Sequence, residues 1–261
     1  MPALALIPFG ADVAAATGAG FRFGEKGTHA TRTMMLEELQ SVLAAVPVSA
    51  SRNDYASAII EDNCAAKQTV STRRHTNQRL GELYALDPSV LLFRVLRRLW
   101  DQGSNARPQL ALLSSLARDP LFAATAEAIV SLEPGAEFLR EPMREAIRDL
   151  AGDRLNEGTL DKVVRNAASS WTQSGHLEGR ALKRRRRVTA TAASVVLALY
   201  LAYKIGFRGM DLFASGWVAT LDCSAALAQK LALEAKRLGL IDIRMAADVV
   251  EIGFDRLEQP L

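Results

Sequence analysis

Residues that commonly carry enzyme chemistry are scarce in this sequence of 261 residues. It has two cysteines, Cys64 and Cys223, which are too few and too far apart for a disulfide framework. Both read as small core residues of a protein in a reducing compartment. The three histidines, His29, His75 and His176, stand apart, and no CxxC, HExxH or EF-hand spacing occurs, so no metal site is expected. No GxSxG is present. The glycines of Gly18–Gly24 have the wrong spacing for a dinucleotide loop and no strand-loop-helix context. Acidic pairs such as Glu37-Glu38 and Glu61-Asp62 read as solvated helix faces. The expectation is a protein without catalysis, cofactor or small-molecule substrate.

One uncharged stretch raises a membrane question. Val188–Tyr203 runs for sixteen residues without a charge, between a basic run and Lys204. A span needs about 20 predominantly apolar residues, with about 18 uncharged as a working minimum. This stretch is shorter and contains Thr189, Thr191 and Ser194, so it reads as a buried helix and no membrane association is expected. The apolar N-terminus has no basic cluster ahead of it, its first basic residue being Arg22, so export is not expected and a cytoplasmic location is.

What the sequence does have is segregated charge. Cys64–Trp100 holds seven Lys/Arg against two Asp/Glu, and His176–Arg208 holds eight against one. These segments carry +5 and +7 of a net +3, leaving −9 for the remainder. Clustered cations suit a surface facing a polyanion, because each cation near a phosphate releases condensed counterions. The alternative is that acidic residues elsewhere in the fold neutralise both clusters.

The first cluster coincides with a run of short helical segments. Residues 1–30 are glycine-rich without a sustained period and read as a flexible arm. Thr33 can cap a helix to about Ala45, closed by Pro47, and Asn53 or Asp54 can cap Tyr55 to about Ala66. After the turn Lys67–Val70, Ser71 and Thr72 can open a third helix, Arg73–Ala85, ended by Asp87-Pro88. Such an order resembles a helix-turn-helix. Lys67, Ser71, Thr72, Arg73, Arg74, Asn77 and Gln78 are then candidate nucleic-acid contacts. Arg can fork onto guanine, Asn or Gln onto adenine, and helix-end amides can meet phosphate. Leu80 and Leu83 would face the core. The alternative is an amphipathic helix with a solvated basic face.

Residues 89–150 carry apolar spacing broken near Gly103–Pro108, Asp119-Pro120 and Glu133–Gly135, which predicts a helical bundle with short loops. A helix from Thr159 to Gly175 leads into the basic excursion Lys183, Arg184, Arg185, Arg186, Arg187, which resembles the wing of a winged helix resting on the phosphate backbone. A solvated linker fits the same run. Ser224–Leu238 reads as an amphipathic helix, followed by the alternating segments Leu240–Met245 and Val249–Phe254 of a β-hairpin. Asp242, Asp248, Glu251 and Asp255 make that hairpin acidic, suited to packing or protein contact. The predicted fold is mainly α, with helix-turn-helix or winged-helix-like modules around a helical bundle and a small C-terminal β-hairpin. The expected units are residues 1–30 (arm), 31–88 (helix-turn-helix-like), 89–187 (bundle with winged end) and 188–261 (buried helix, C-terminal helix and hairpin).

The order of these features resembles the BrxA family of bacterial BREX phage-defence systems. The residues that carry the resemblance are Met34–Leu39, Ile59–Asn63, Thr69–Arg74, Arg79-Leu80, Thr159–Gly175 and Ala235–Leu240 with its hairpin. The resemblance covers roughly residues 33–257 and includes no catalytic motif. It implies an all-helical, non-enzymatic DNA-binding accessory protein with double-stranded DNA as partner, other defence proteins as further partners, and Thr72–Arg79 as the DNA-contacting segment. A scaffold for a defence complex, or an RNA-binding protein similar to antitermination factors, is the alternative.

Overall fold

The computed structural model of the chain describes residues 4, 6–246 and 249–261. It is mainly helical. The chain runs α1 (Val13–Ala19), a 3-10 turn (Thr28–Ala30), α2 (Leu36–Ala45), α3 (Arg52–Ile60), α4 (Val70–Tyr84), α5 (Leu91–Leu99) and α6 (Arg107–Arg118). It continues through α7 (Pro120–Ala123), α8 (Ala126–Val130), α9 (Arg140–Ala151), α10 (Glu157–Gln173), β1 (Leu177–Glu178), β2 (Arg184–Arg185) and α11 (Ala192–Ile205). Then come α12 (Asp211–Ala214), α13 (Gly216–Ala219), α14 (Ala225–Arg237), β3 (Asp242–Ala246), β4 (Val249–Gly253) and α15 (Asp255–Glu258). The two sheets are small antiparallel pairs, β1 with β2 and β3 with β4.

The uncharged stretch forms α11, the most deeply buried helix. A reciprocal capping box between Thr191 and Ser194 starts it, and Gly206 ends it at φ +117°. It is apolar all round because it is covered all round: α1, α5, α6, α13 and α14 pack against it. Val195 through Ala202 are wholly buried. No helix among the described residues is long and apolar enough to cross a membrane.

The glycine-rich N-terminal segment is packed, which corrects the expected flexible arm for the described residues. Asp12 caps α1 through Ala15 N at 2.9 Å, and Ala16, Ala19, Phe21 and His29 are buried. Its glycines serve close approach. Gly20 has φ +114°, and a Cβ there would come within 2.5 Å of Val90 Cγ1; a Cβ on Gly27 would overlap Asp119 Oδ1. Composition suggested mobility where backbone needed to approach other chain segments.

The starts of α3, α4 and α10 lie earlier than expected because their capping side chains do. Ser51 caps α3 in a box with Asp54, and α3 ends at Ile60 ahead of the left-handed Asn63 and Ala66. Thr69, instead of Ser71, caps α4 through Thr72 N at 3.1 Å. Asn156 caps α10 through Thr159 N at 2.9 Å. At α2 the residue before the helix is the left-handed Met35 at φ +53°, and Thr33 Oγ1 instead accepts from Met35 N (3.2 Å) and Gln173 Nε2 (3.1 Å). α14 begins after Ser224 and the β3–β4 pair forms as expected, while Ala247 and Asp248, part of the predicted turn, lie outside the described residues.

Candidate nucleic-acid interface

α4 sets its inner face with Leu80, Leu83 and Tyr84, all essentially buried, against α3 and α6. That fixes the opposite face outward. Ser71, Arg74 and Gln78 are exposed, and Thr72 and Asn77 are half-buried. Thr72 contributes its amide and hydroxyl to the Thr69 cap, with Oγ1 2.9 Å from Thr69 Oγ1.

Two predicted contacts are already used inside the fold. Arg73 turns back onto the end of α3, its guanidinium donating to Ile60 O at 3.2 Å and Lys67 O at 3.3 Å. It thereby satisfies a carbonyl that the end of α3 leaves open and one in the turn ahead of α4. Lys67 Nζ pairs with Glu38 at 2.8 Å, with both side chains about a quarter exposed. Gln78 donates to Glu82 at 3.1 Å. Arg74 is thus the outward cation of this group.

The second cluster lies where α10 runs into β1 and β2. The strands pair Leu177 with Arg185 and Glu178 with Arg184, and Arg184 also bridges Glu137, just before α9. Glu137 precedes α9 and α10 in the chain, and β2 lies between it and β1. Within β2 the alternation separates Arg184, which faces outward, from Arg185, which faces inward. Arg184, Arg186 and Arg187 are exposed, and Arg180 at the hairpin tip is exposed as well.

Arg185 is a correction, since it points inward. Its side chain is 1% exposed, pairs with Asp222 at 2.5 Å and donates through Nε to Ile129 O at 2.9 Å. An extended chain sends neighbouring side chains to opposite faces, so one residue within a five-residue basic run could be drawn into the core. Lys183 Nζ donates to Thr172 Oγ1 at 2.8 Å, and burial together with the nearby charge of Arg140 lowers its pKa. Arg184 donates to Gly135 O at 3.0 Å, Arg186 sits 3.4 Å from Glu178, and Arg187 has no carboxylate partner among the described residues.

One junction connects the two clusters. Lys183 is held by Thr172 on the last turn of α10, whose neighbour Gln173 accepts from Leu36 N at 3.2 Å. In the same first turn of α2, Glu38 holds Lys67. By contrast, the C-terminal hairpin offsets part of its acidic charge locally. Asp242 takes Arg256 at 3.1 Å, and Glu251 stands opposite Arg244.

A buried polar group escaped sequence reading. His29 Nδ1 lies 2.7 Å from Asp119 Oδ2, and His29 Nε2 lies 2.9 Å from Ser170 Oγ. The connectivity is that of an acid-base-nucleophile triad. All three residues are wholly buried, His29 stacks on Phe122 at 4.1 Å, and Ser170 Oγ also accepts from Met34 N at 2.8 Å and donates to Asn166 O at 3.0 Å. The oxygen has no open side for a substrate carbonyl, so the group serves packing. Widely spaced single residues leave no sequence signal for such a cluster. Among the described residues no group of His, Cys, Asp or Glu could hold a metal ion. Cys223 is buried, and burial raises its thiol to about 11; Cys64 is half-buried, and burial raises its thiol too.

No family model matches the chain, and no match to a curated protein was found.

Proposed function

We propose that the chain is a non-enzymatic, cytoplasmic protein that binds duplex DNA through the outward cations of α4 and of the β1–β2 hairpin. The observation that carries this reading is the division of labour among arginines. Arg73 and Arg185 are spent on internal carbonyls and a carboxylate, while Arg74, Arg180 and Arg187 stand exposed without a carboxylate partner among the described residues. Exposed cations on a helix start and on a hairpin tip are the two placements from which a winged helix-turn-helix reaches a groove and the flanking phosphates. The resemblance to the BrxA family supports the same reading and extends it to an accessory role in phage defence. Fluorescence anisotropy of a labelled duplex tests it. An Arg74→Glu/Arg187→Glu variant is expected to lose at least about tenfold in affinity with its unfolding midpoint unchanged. Unchanged affinity would refute it.

A scaffold role is favoured by a different observation: three of the predicted contacts, Lys67, Arg73 and Arg185, are satisfied internally. Under that reading the charge-reversed variant loses a protein partner and no DNA affinity.

A further inference from the structure

Along α4, one turn beyond Arg74, a cleft of about 360 Å³ opens between segments far apart in sequence. Its polar lining comprises Arg22, Arg52, Asn77, Gln78, Glu82 and Arg118. We propose that this cleft is a binding site for a phosphate group.

Three guanidiniums arrive there from three directions: Arg22 from the segment after α1, Arg52 from the first turn of α3, and Arg118 from the last turn of α6. Arg118 has no carboxylate partner among the described residues. It donates to backbone oxygens only, to Glu82 O at 3.1 Å, to Gly81 O at 3.3 Å and to Gly20 O. Arg22 donates to the same Glu82 O at 3.3 Å, which brings two like charges to one carbonyl. Burial, and after it the charge of Arg22, draw the pKa of Arg118 down to about 10. A guanidinium offers five N–H donors, so Arg118 keeps donors beyond the carbonyls it already serves.

The nearby carboxylates do not discharge this pair. Glu82 accepts from Thr28 (2.8 Å), Gln78 (3.1 Å) and Arg79 (2.8 Å), all outside the Arg22–Arg118 pair. Asp87 accepts from Ser89 N (2.9 Å) and its hydroxyl (2.7 Å), and stands 3.7 Å from Arg52. An incoming anion would relieve the repulsion. The planar fork of arginine fits the paired oxygens of a phosphate, and Asn77 and Gln78 add neutral amide donors at the wall. The same chemistry is offered by a phosphodiester of a bound strand and by a free phosphate.

The test titrates inorganic phosphate into the full chain and follows the arginine Nε–H resonances by NMR. Saturable shifts at Arg22 and Arg118 are expected. An Arg52→Glu/Gln78→Glu variant, altered only at exposed positions, is expected to weaken binding at least about tenfold with an unchanged unfolding midpoint. Shifts that rise without saturating, or equal affinity in the variant, would overturn the proposal. Adding duplex DNA to the phosphate-loaded protein then separates the sources. Displacement assigns the site to a strand phosphate, and retention assigns it to a free one. Because the titration contains no DNA, its failure is independent of a failure of DNA binding.

Discussion

His29 and Asp119, ninety positions apart, meet at 2.7 Å with both side chains wholly buried. Asp119 also accepts His29 N at 2.9 Å and Phe122 N at 3.1 Å, so one carboxylate holds the N-terminal segment and starts α7. Burial alone would push its pKa up. The charge and hydrogen bond of His29, with the two backbone amides, outweigh burial and hold it below the usual carboxylate value. The N-terminal segment is therefore bound to the corner of α6 and α7 by a paired, saturated polar group.

Breaking that pair leaves a buried group without its partner, which costs more than the pair itself is worth. Asp119→Asn is expected to lower the unfolding free energy by about 3 kcal/mol, measured by urea denaturation. A change below about 1 kcal/mol would show that the contact is incidental. The depressed pKa of Asp119 also fixes a sign: its contribution is complete above the unfolded carboxylate value and is lost as pH falls through the lower folded one.

His176 adds a second acid sensitivity at higher pH. Burial lowers it to about 4, against an ordinary 6.5, while the Thr220 carbonyl 2.7 Å from Nε2 works the other way. The folded protein keeps the ring neutral while the unfolded chain takes up a proton. Stability is expected to be full above pH 6.5, to fall as pH drops from there, and to level off near 4 as far as this residue is concerned. Equilibrium unfolding of the parent and a His176→Gln variant between these limits checks it. An equal pH slope in the two proteins would contradict it.

Two members of the arginine run, Arg185 and Arg187, should behave as opposites. Arg185→Ala strands Asp222 and empties the Ile129 carbonyl, for an expected loss of about 3–5 kcal/mol. Arg187→Ala, at an exposed site, is expected to stay within about 0.5 kcal/mol of the parent. Thermal unfolding of the two variants separates them, and comparable losses would mean that Arg185 is not held in the core by Asp222 and the Ile129 carbonyl.

Elements were legible where the pattern was dense. The core face of α4 at Leu80 and Leu83, the buried α11 and the β3–β4 alternation all follow from apolar spacing and length. Helix starts were displaced because several polar residues in a row compete for each cap. At α4 Thr69, Ser71 and Thr72 are all competent, and the tertiary turn at Asn63–Lys67, closed by Lys67 N onto Asn63 Oδ1 at 2.7 Å, chooses Thr69. The packed N-terminal segment was illegible because its partners, Asp119 and Ser170, lie in other helices' segments. At the interface, charge pattern located the two clusters but could not divide them. Only folding determines which arginine faces a carbonyl.

That division predicts unequal effects within α4. Arg73→Ala is expected to cost about 1 kcal/mol of stability through the uncapped end of α3, with a small effect on DNA affinity. Arg74→Ala, exposed, is expected to leave stability unchanged and weaken DNA binding. Anisotropy and thermal unfolding measured on both variants check this, and loss of DNA affinity in the Arg73 variant alone would reverse the assignment.

The most direct measurement is the salt dependence of duplex binding. Each phosphate neutralised by a cation adds a slope of about −0.9 to log affinity against log salt. Arg74, Arg180, Arg184 and Arg187 are exposed, so the parent is expected to show a slope of roughly −3 to −4. The Arg74→Ala/Arg187→Ala variant should be shallower by about 2. A parent slope near zero, or an identical slope in the variant, would contradict the account.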